Sequence, residues 1–191
     1  LAKFEWWRIA KRQGEVKKAE RFLQEARMYF QQHCTRDSTC DCRKWLTGRW
    51  ICPFATALLH LGSSAYDQGN HEEAQRHLKE AERVYSELGD EPGLAAVFHI
   101  RGKIAHVQGR HDEAKQLFIQ SLMLGEKTGV RYGVAWSKSW LAIVEEQVGN
   151  SREALRLAKE AKEIYRRLGM TRELKETQTL IERLEGKLST D

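Results

Sequence analysis

Little in this sequence interrupts a helix. Only two prolines, Pro53 and Pro92, occur in 191 residues, so the ring that breaks backbone hydrogen bonding is nearly missing. No apolar run approaches the roughly 18 residues that a membrane-spanning helix needs. Glycines stand singly and never gather into a phosphate-cradling loop. The chain opens on Leu1 with LAKFEWWRIAKRQG, which has neither an initiator methionine nor the apolar core of a secretory signal. The expectation is a piece of a longer protein, cytoplasmic and without a signal peptide. Its composition, 41% hydrophobic and 31% charged, suits amphipathic helices rather than disorder.

Repetition is what the sequence does have. GEVKKA from Gly14, GNHEEA from Gly69, GRHDEA from Gly109 and GNSREA from Gly149 each place alanine five residues after glycine, and the last three are 40 residues apart. Gly89, Gly129 and Gly169 recur at the same interval. A fixed period of this size marks units that bury their apolar faces against their neighbours. Each unit reads as two helices. Helix A is expected at about 2–13, 53–68, 92–108 and 131–148. Helix B of the second unit, about 71–88, puts Ala74, Leu78, Ala81, Tyr85 and Leu88 on one face. Gly69 permits the tight turn, Asn70 caps helix B, and Gly89 ends it in a left-handed conformation. Ala154, Ala158, Ala161, Tyr165 and Leu168 repeat the face in the fourth unit. The third has Ala114, Phe118, Ser121, Gly125 and Thr128, so its last turns are weak, and Gly125 reads as simply tolerated rather than as a kink or close approach. A final helix at about 171–187, with Leu174, Ile181 and Leu184 on one side, has the look of a terminal cap.

Gly62, Gly102 and Ala142 late in helix A, glycine at the turn, and Ala74/Ala81, Ala114 and Ala154/Ala161 in helix B resemble the tetratricopeptide repeat. The first unit matches less well, with Trp7 where the small residue belongs. The resemblance implies an all-α, right-handed α-solenoid of antiparallel helix pairs: repeat 1 at about 1–33 with an insert at 34–52, repeat 2 at 53–89, repeat 3 at 91–129, repeat 4 at 131–169 and a capping helix at 171–187. The 40-residue unit exceeds the usual 34, adding about 9 Å of helix to each pair. It is similar to the long repeats of kinesin light chains, spindle-orientation adaptors and bacterial STAND-class signalling ATPases. LGDEPGLAAV, Leu88 to Val97, looks most like the last group, whose arrays act as sensor or autoinhibitory arms.

The same resemblance implies that helix A lines a concave groove. Carried over by position, the groove residues are Arg8, Lys11 and Arg12 in repeat 1, and Thr56, Leu59, Ser63 and Tyr66 in repeat 2. Repeat 3 supplies His99, Lys103 and His106, and repeat 4 Trp136, Ser139 and Ile143. Aromatic and basic groups together suit an extended peptide with acidic and apolar side chains. The Lys/Asn set of a carboxylate clamp is not evident. Trp136 and Trp140 stand one turn apart, and at least one is expected to be buried between repeats. The expected partner is a protein or peptide, including another domain of the same full-length chain, and no membrane is involved.

All four cysteines, Cys34, Cys40, Cys42 and Cys52, fall in or beside the insert HCTRDSTCDCRKWLTGRWIC. They could hold a structural zinc ion, with His33 as a substitute ligand, or serve redox chemistry, or remain ordinary thiols. The spacing lacks the paired C-x-x-C of common zinc modules, so the three readings stay open. No other cofactor is expected. The net charge of +5 is concentrated in residues 1–55, which carry twelve Lys/Arg against six Asp/Glu. Arg8, Lys11, Arg12, Lys17, Lys18, Arg43, Lys44 and Arg49, with Trp45 and Trp50 for stacking, therefore offer nucleic-acid binding as an alternative, against the plainer reading of a solvated basic face. The remaining histidines are scattered, no Ser/His/Asp or Cys/His pairing follows from the register, and no enzyme activity is expected.

Overall fold

The computed structural model describes residues 53–190, together with Arg21, Gln24, Glu25 and Met28. Seven continuous helices lie between residues 53 and 190: α1 (Pro53–Asp67), α2 (His71–Leu88), α3 (Glu91–Val107), α4 (His111–Thr128), α5 (Arg131–Gln147), α6 (Ser151–Leu168) and α7 (Thr171–Thr190). No strand occurs among the described residues. The expected boundaries hold to within a residue except at the last helix, which runs on to Thr190. Apart from those four positions the first repeat lies outside the described residues, as does the whole cysteine insert. The chain divides into two compact units, Leu1–Gly93 and Leu94–Asp191, with the division falling early in α3.

Glycine sets the beat. Gly69, Gly89, Gly109, Gly129, Gly149 and Gly169 all have φ between 65° and 87°, a region that costs an ordinary L-residue about 1–2 kcal/mol. At Gly89, the next amide, Asp90 N–H, donates back to Tyr85 O at 2.9 Å, the closure expected of a left-handed helix end. After α1, Asn70 N–H donates to Ala65 O at 2.8 Å, and the Asn70 side chain accepts from Glu73 N at 3.4 Å. This long contact is still the helix-capping role that the sequence predicts.

Within unit 1, α1 packs on α2. Ala55, Ala57, Leu58 and Leu61 of α1 and Ala74, Leu78, Ala81 and Tyr85 of α2 are all buried. A Cβ on Gly62 would stand 2.7 Å from Leu78 Cγ, and one on Gly102 2.7 Å from Phe118 Cε1. These positions, 40 apart, need a small residue because the facing side chain occupies the space. The fifth position of the helix B face differs from expectation. Leu88 and Leu168 are about two-fifths exposed, because they sit in the last turn, at the edge of the packed seam.

Unit 2 has one main core, in which Ala105, Ala114, Phe118, Leu141, Val144, Leu157, Leu180, Ile181 and Leu184 are buried together. A smaller cluster joins Ala135, Ala161 and Tyr165, with Trp136, Ile164, Met170 and Leu174 against it. Gly125 is buried in α4, and a Cβ there would lie 3.2 Å from Val134 Cγ2. Its role is close approach of α4 to the start of α5, not the mere tolerance expected from sequence. Ser121, also buried, donates to Ala95 O at 2.8 Å and accepts from Ser137 Oγ at 2.9 Å. Two hydroxyls thereby satisfy one another, as buried polar groups must. Helix α7 is tied down by burial of Leu180, Ile181 and Leu184 and by Arg183 and Lys187, which both bind Glu146 at 2.6 Å.

Candidate functional site

Helical geometry places residues three, four and seven apart on one face. On α3 that face carries His99, Lys103 and His106; on α5 it carries Tyr132, Trp136, Trp140 and Ile143. The two faces meet within unit 2. The His99 ring stacks on Trp136 at 5.9 Å between centroids and is tilted against Phe118 of α4 at 5.6 Å. Trp140 stacks on Phe118 at 5.8 Å, meets His106 edge-on at 5.4 Å, and takes the Lys103 ammonium over its face at 5.6 Å. His106 in turn is 5.9 Å from His111, the first residue of α4. At the open end Tyr132, 52% exposed, sets its ring edge-on to Trp136 at 5.1 Å.

The imidazoles of His99 and His106 are held in the neutral form. Burial among the rings pushes His99 down to about 3, with the Lys103 charge adding to the effect. His106 is lowered too, first by burial and then by His111. The Nδ1 atoms of His99, His106 and His111 are sealed from solvent and meet no hydrogen-bond partner among the described residues. The face therefore combines flat aromatic surface, uncharged imidazole and the one ammonium of Lys103. Such amphipathic rings contribute large contact area at small entropic cost.

The other candidate residues are placed differently. Ser139 hydrogen-bonds Tyr165, and Ile143 packs on the main core of unit 2. In unit 1, Thr56, Leu59, Ser63 and Tyr66 share one face of α1 and are all half-buried. Thr56 Oγ1 accepts from the Tyr85 hydroxyl at 3.3 Å, and the Tyr66 ring lies 5.8 Å from His71. Arg8, Lys11, Arg12 and the four cysteines lie outside the described residues. Sequence reasoning left Tyr132, Trp140, Phe118 and His111 out of the site, although the aromatic spacing 132, 136, 140 on one helix was a usable signal. Among the described residues no cluster of three His, Cys, Asp or Glu could hold a metal ion, and no helix is long and apolar enough to cross a membrane.

A family profile described as tetratricopeptide repeat matches residues 53–127 and again 93–167. No curated protein matches the chain in sequence. Among solved structures, the apo form of RapI superposes with a TM-score of 0.76 at 14% identity, over 98% of this chain and 63% of that one. A signal-transduction ATPase with numerous domains (STAND) and a tetratricopeptide repeat sensor, from Pyrococcus horikoshii, gives 0.74 at 16% identity, over 98% of this chain and 26% of that one. Nearly identical repeats of a kinesin light chain from Podosopora anserina give 0.62 at 16% identity, over 100% and 96%. The chain thus spans less than two thirds of the length of the first two, and at these identities the likeness concerns the fold. The two overlapping profile matches together span residues 53–167, more than half of the sequence, and the chain belongs to the tetratricopeptide repeat family.

Proposed function

We propose that this chain is a protein-interaction module that receives a peptide or protein segment on the α3–α5 face of unit 2. The segment comes from a partner or from another domain of the same full-length chain. The observation that carries the reading is Tyr132, half exposed and edge-on to Trp136. Aromatic side chains at the rim of a preformed cluster are the usual anchors of protein recognition. The structural likeness to the sensor-bearing STAND ATPase supports a regulatory use. The repeat fold commonly serves as a non-enzymatic scaffold, and no catalytic role is assigned to any residue.

A photo-crosslinking residue at position 132, in the full-length protein, tests this. It should give a defined adduct, in cis or in trans, that is lost in Trp136→Ala and not obtained from position 123 on the opposite side of the repeat. No adduct, or equal adducts from both positions, overturns the reading. Zinc binding by Cys34, Cys40, Cys42 and Cys52 is a separate proposal resting on sequence alone. Metal analysis paired with thiol counting tests it, and four free thiols without metal would reject it. Nucleic-acid binding by the basic first repeat would show as affinity falling steeply between about 50 and 200 mM salt. Absence of binding at low salt would remove it.

A further inference from the structure

Three imidazoles in one place are unusual for this array. The positions equivalent to His99 hold Leu59 and Ser139 and those equivalent to His106 hold Tyr66 and Glu146, whereas His111 has a counterpart in His71 one unit before and Ser151 one unit after. The histidines belong to the third repeat, and they sit between the face carrying Tyr132 and Trp136 and the core beneath it. The surroundings of His99 and His106 suit the neutral ring alone. His99 faces Lys103 on its own helix, Phe118 on α4, and Trp136 and Trp140 on α5. His106 faces His111 and Trp140. The charges bearing on these two rings are Lys103 and, when protonated, His111, both positive.

A tryptophan face can stabilise a cation. On Trp140 that place is already taken by Lys103, so a second cation there would meet repulsion. The sealed Nδ1 atoms offer an added proton no acceptor. Protonation is therefore available mainly when the rings separate and water enters.

We infer that the His99–His106 pair is an acid-operated release for the α3–α5 face: mild acid opens the stack that supports Trp136 and Trp140 and lowers the affinity of whatever docks beside Tyr132. This rests on the reading of that face as the docking surface. The sign follows from proton linkage. His99 is held down to about 3 while folded, against about 6.5 when exposed. The opened state binds more protons throughout that interval, and stability of the closed face is complete above about pH 6.5 and falls as pH drops below it. Each imidazole taking up a proton raises the opening equilibrium about tenfold per pH unit.

The test uses the full chain, following hydrogen exchange of α3 and α5 amides from pH 7 to 5 with α6 and α7 amides as the internal reference. The variants His99→Leu and His106→Tyr install residues that the array itself places 40 positions earlier. The wild-type opening equilibrium at α3 and α5 should rise about tenfold per pH unit below 6.5 for each imidazole that takes up a proton, and His99→Leu should remove one such tenfold factor. Equal slopes in wild type and both variants overturn the inference, as does a slope shared by all of unit 2, which would be general unfolding. Should His99→Leu fail to fold, His106→Tyr and direct titration of the His99 ring decide, since an ordinary value near 6.5 in the folded protein refutes it. The crosslinker at position 132 separates the two claims. A pH-dependent opening without any adduct keeps the acid opening but rejects the docking surface and with it the release, whereas an adduct insensitive to pH keeps the docking surface and rejects the release.

Discussion

Helices α4 and α6 occupy equivalent places 40 residues apart, yet they close their seams by different means. In α6 the inward face is Ala154, Ala158, Ala161 and Tyr165, and the tyrosine fills the gap against Ala135, Met170 and Leu174. In α4 the same four places hold Ala114, Phe118, Ser121 and Gly125. There the aromatic bulk has moved two turns back, to Phe118, and the last turn closes by backbone approach to Val134 and by the Ser121–Ser137 hydroxyl pair. The outer faces differ as well. On α6, Arg156 pairs with Glu153 and Glu160, and Arg166 and Arg167 both pair with Glu163, whose carboxyl is pushed down to about 2. On α4, Ile119 and Met123 face outward. A repeat thus fixes where the backbone runs and how much volume each seam must hold. It leaves open which side chains fill that volume.

The contrast can be tested at its strongest point first. Tyr165→Ala should cost about 3–5 kcal/mol, as for other buried aromatics, whereas Gly125→Tyr, which copies α6 into α4, should destabilise by about 1–3 kcal/mol through overpacking. Urea unfolding of both variants checks this, and a stabilising Gly125→Tyr would refute the account of the α4 seam. Next in size, Ser121→Ala leaves the buried Ser137 hydroxyl without its acceptor and should cost about 1–3 kcal/mol. Adding Ser137→Val should recover much of it, since Val97 occupies the equivalent place in α3; a double-mutant cycle showing strict additivity would deny the coupling. Gly129→Ala, at φ 71°, should lose about 1–2 kcal/mol, with Gly169→Ala alike, because the turns are common to both pairs. The smallest effect belongs to Arg183→Ala, which removes one arm from Glu146. Its side chain is half exposed, so thermal unfolding should register no more than about 1 kcal/mol, shrinking as salt is added.

The helix pairs were legible because their signals are local. Glycine every 20 residues from Gly69 to Gly169 marks every turn, and alanine in helix B marks every seam. Gly125 was misjudged because nothing near it in sequence announces Val134 across the turn. The site was harder to read for the same reason. Position in the repeat picked out His99 and Trp136, but the ring contacts among His99, Trp140 and Phe118 depend on how three helices approach. Ser139 looked like a neighbour of Trp136 on one face, and its side chain instead meets Tyr165. A periodic pattern states which side of a helix is inward. It does not state which inward residue reaches the next helix.

The left-handed glycines have a consequence for how such a chain can change length. With helices of 17 and 18 residues from α2 to α6 and 100° of turn per residue, one residue added inside any of them would swing everything beyond it a quarter-turn and more, exposing oily side chains to water. Growth or loss is therefore confined to the glycine joints or to whole helix pairs. An alteration of any other size would leave adjoining pairs out of step.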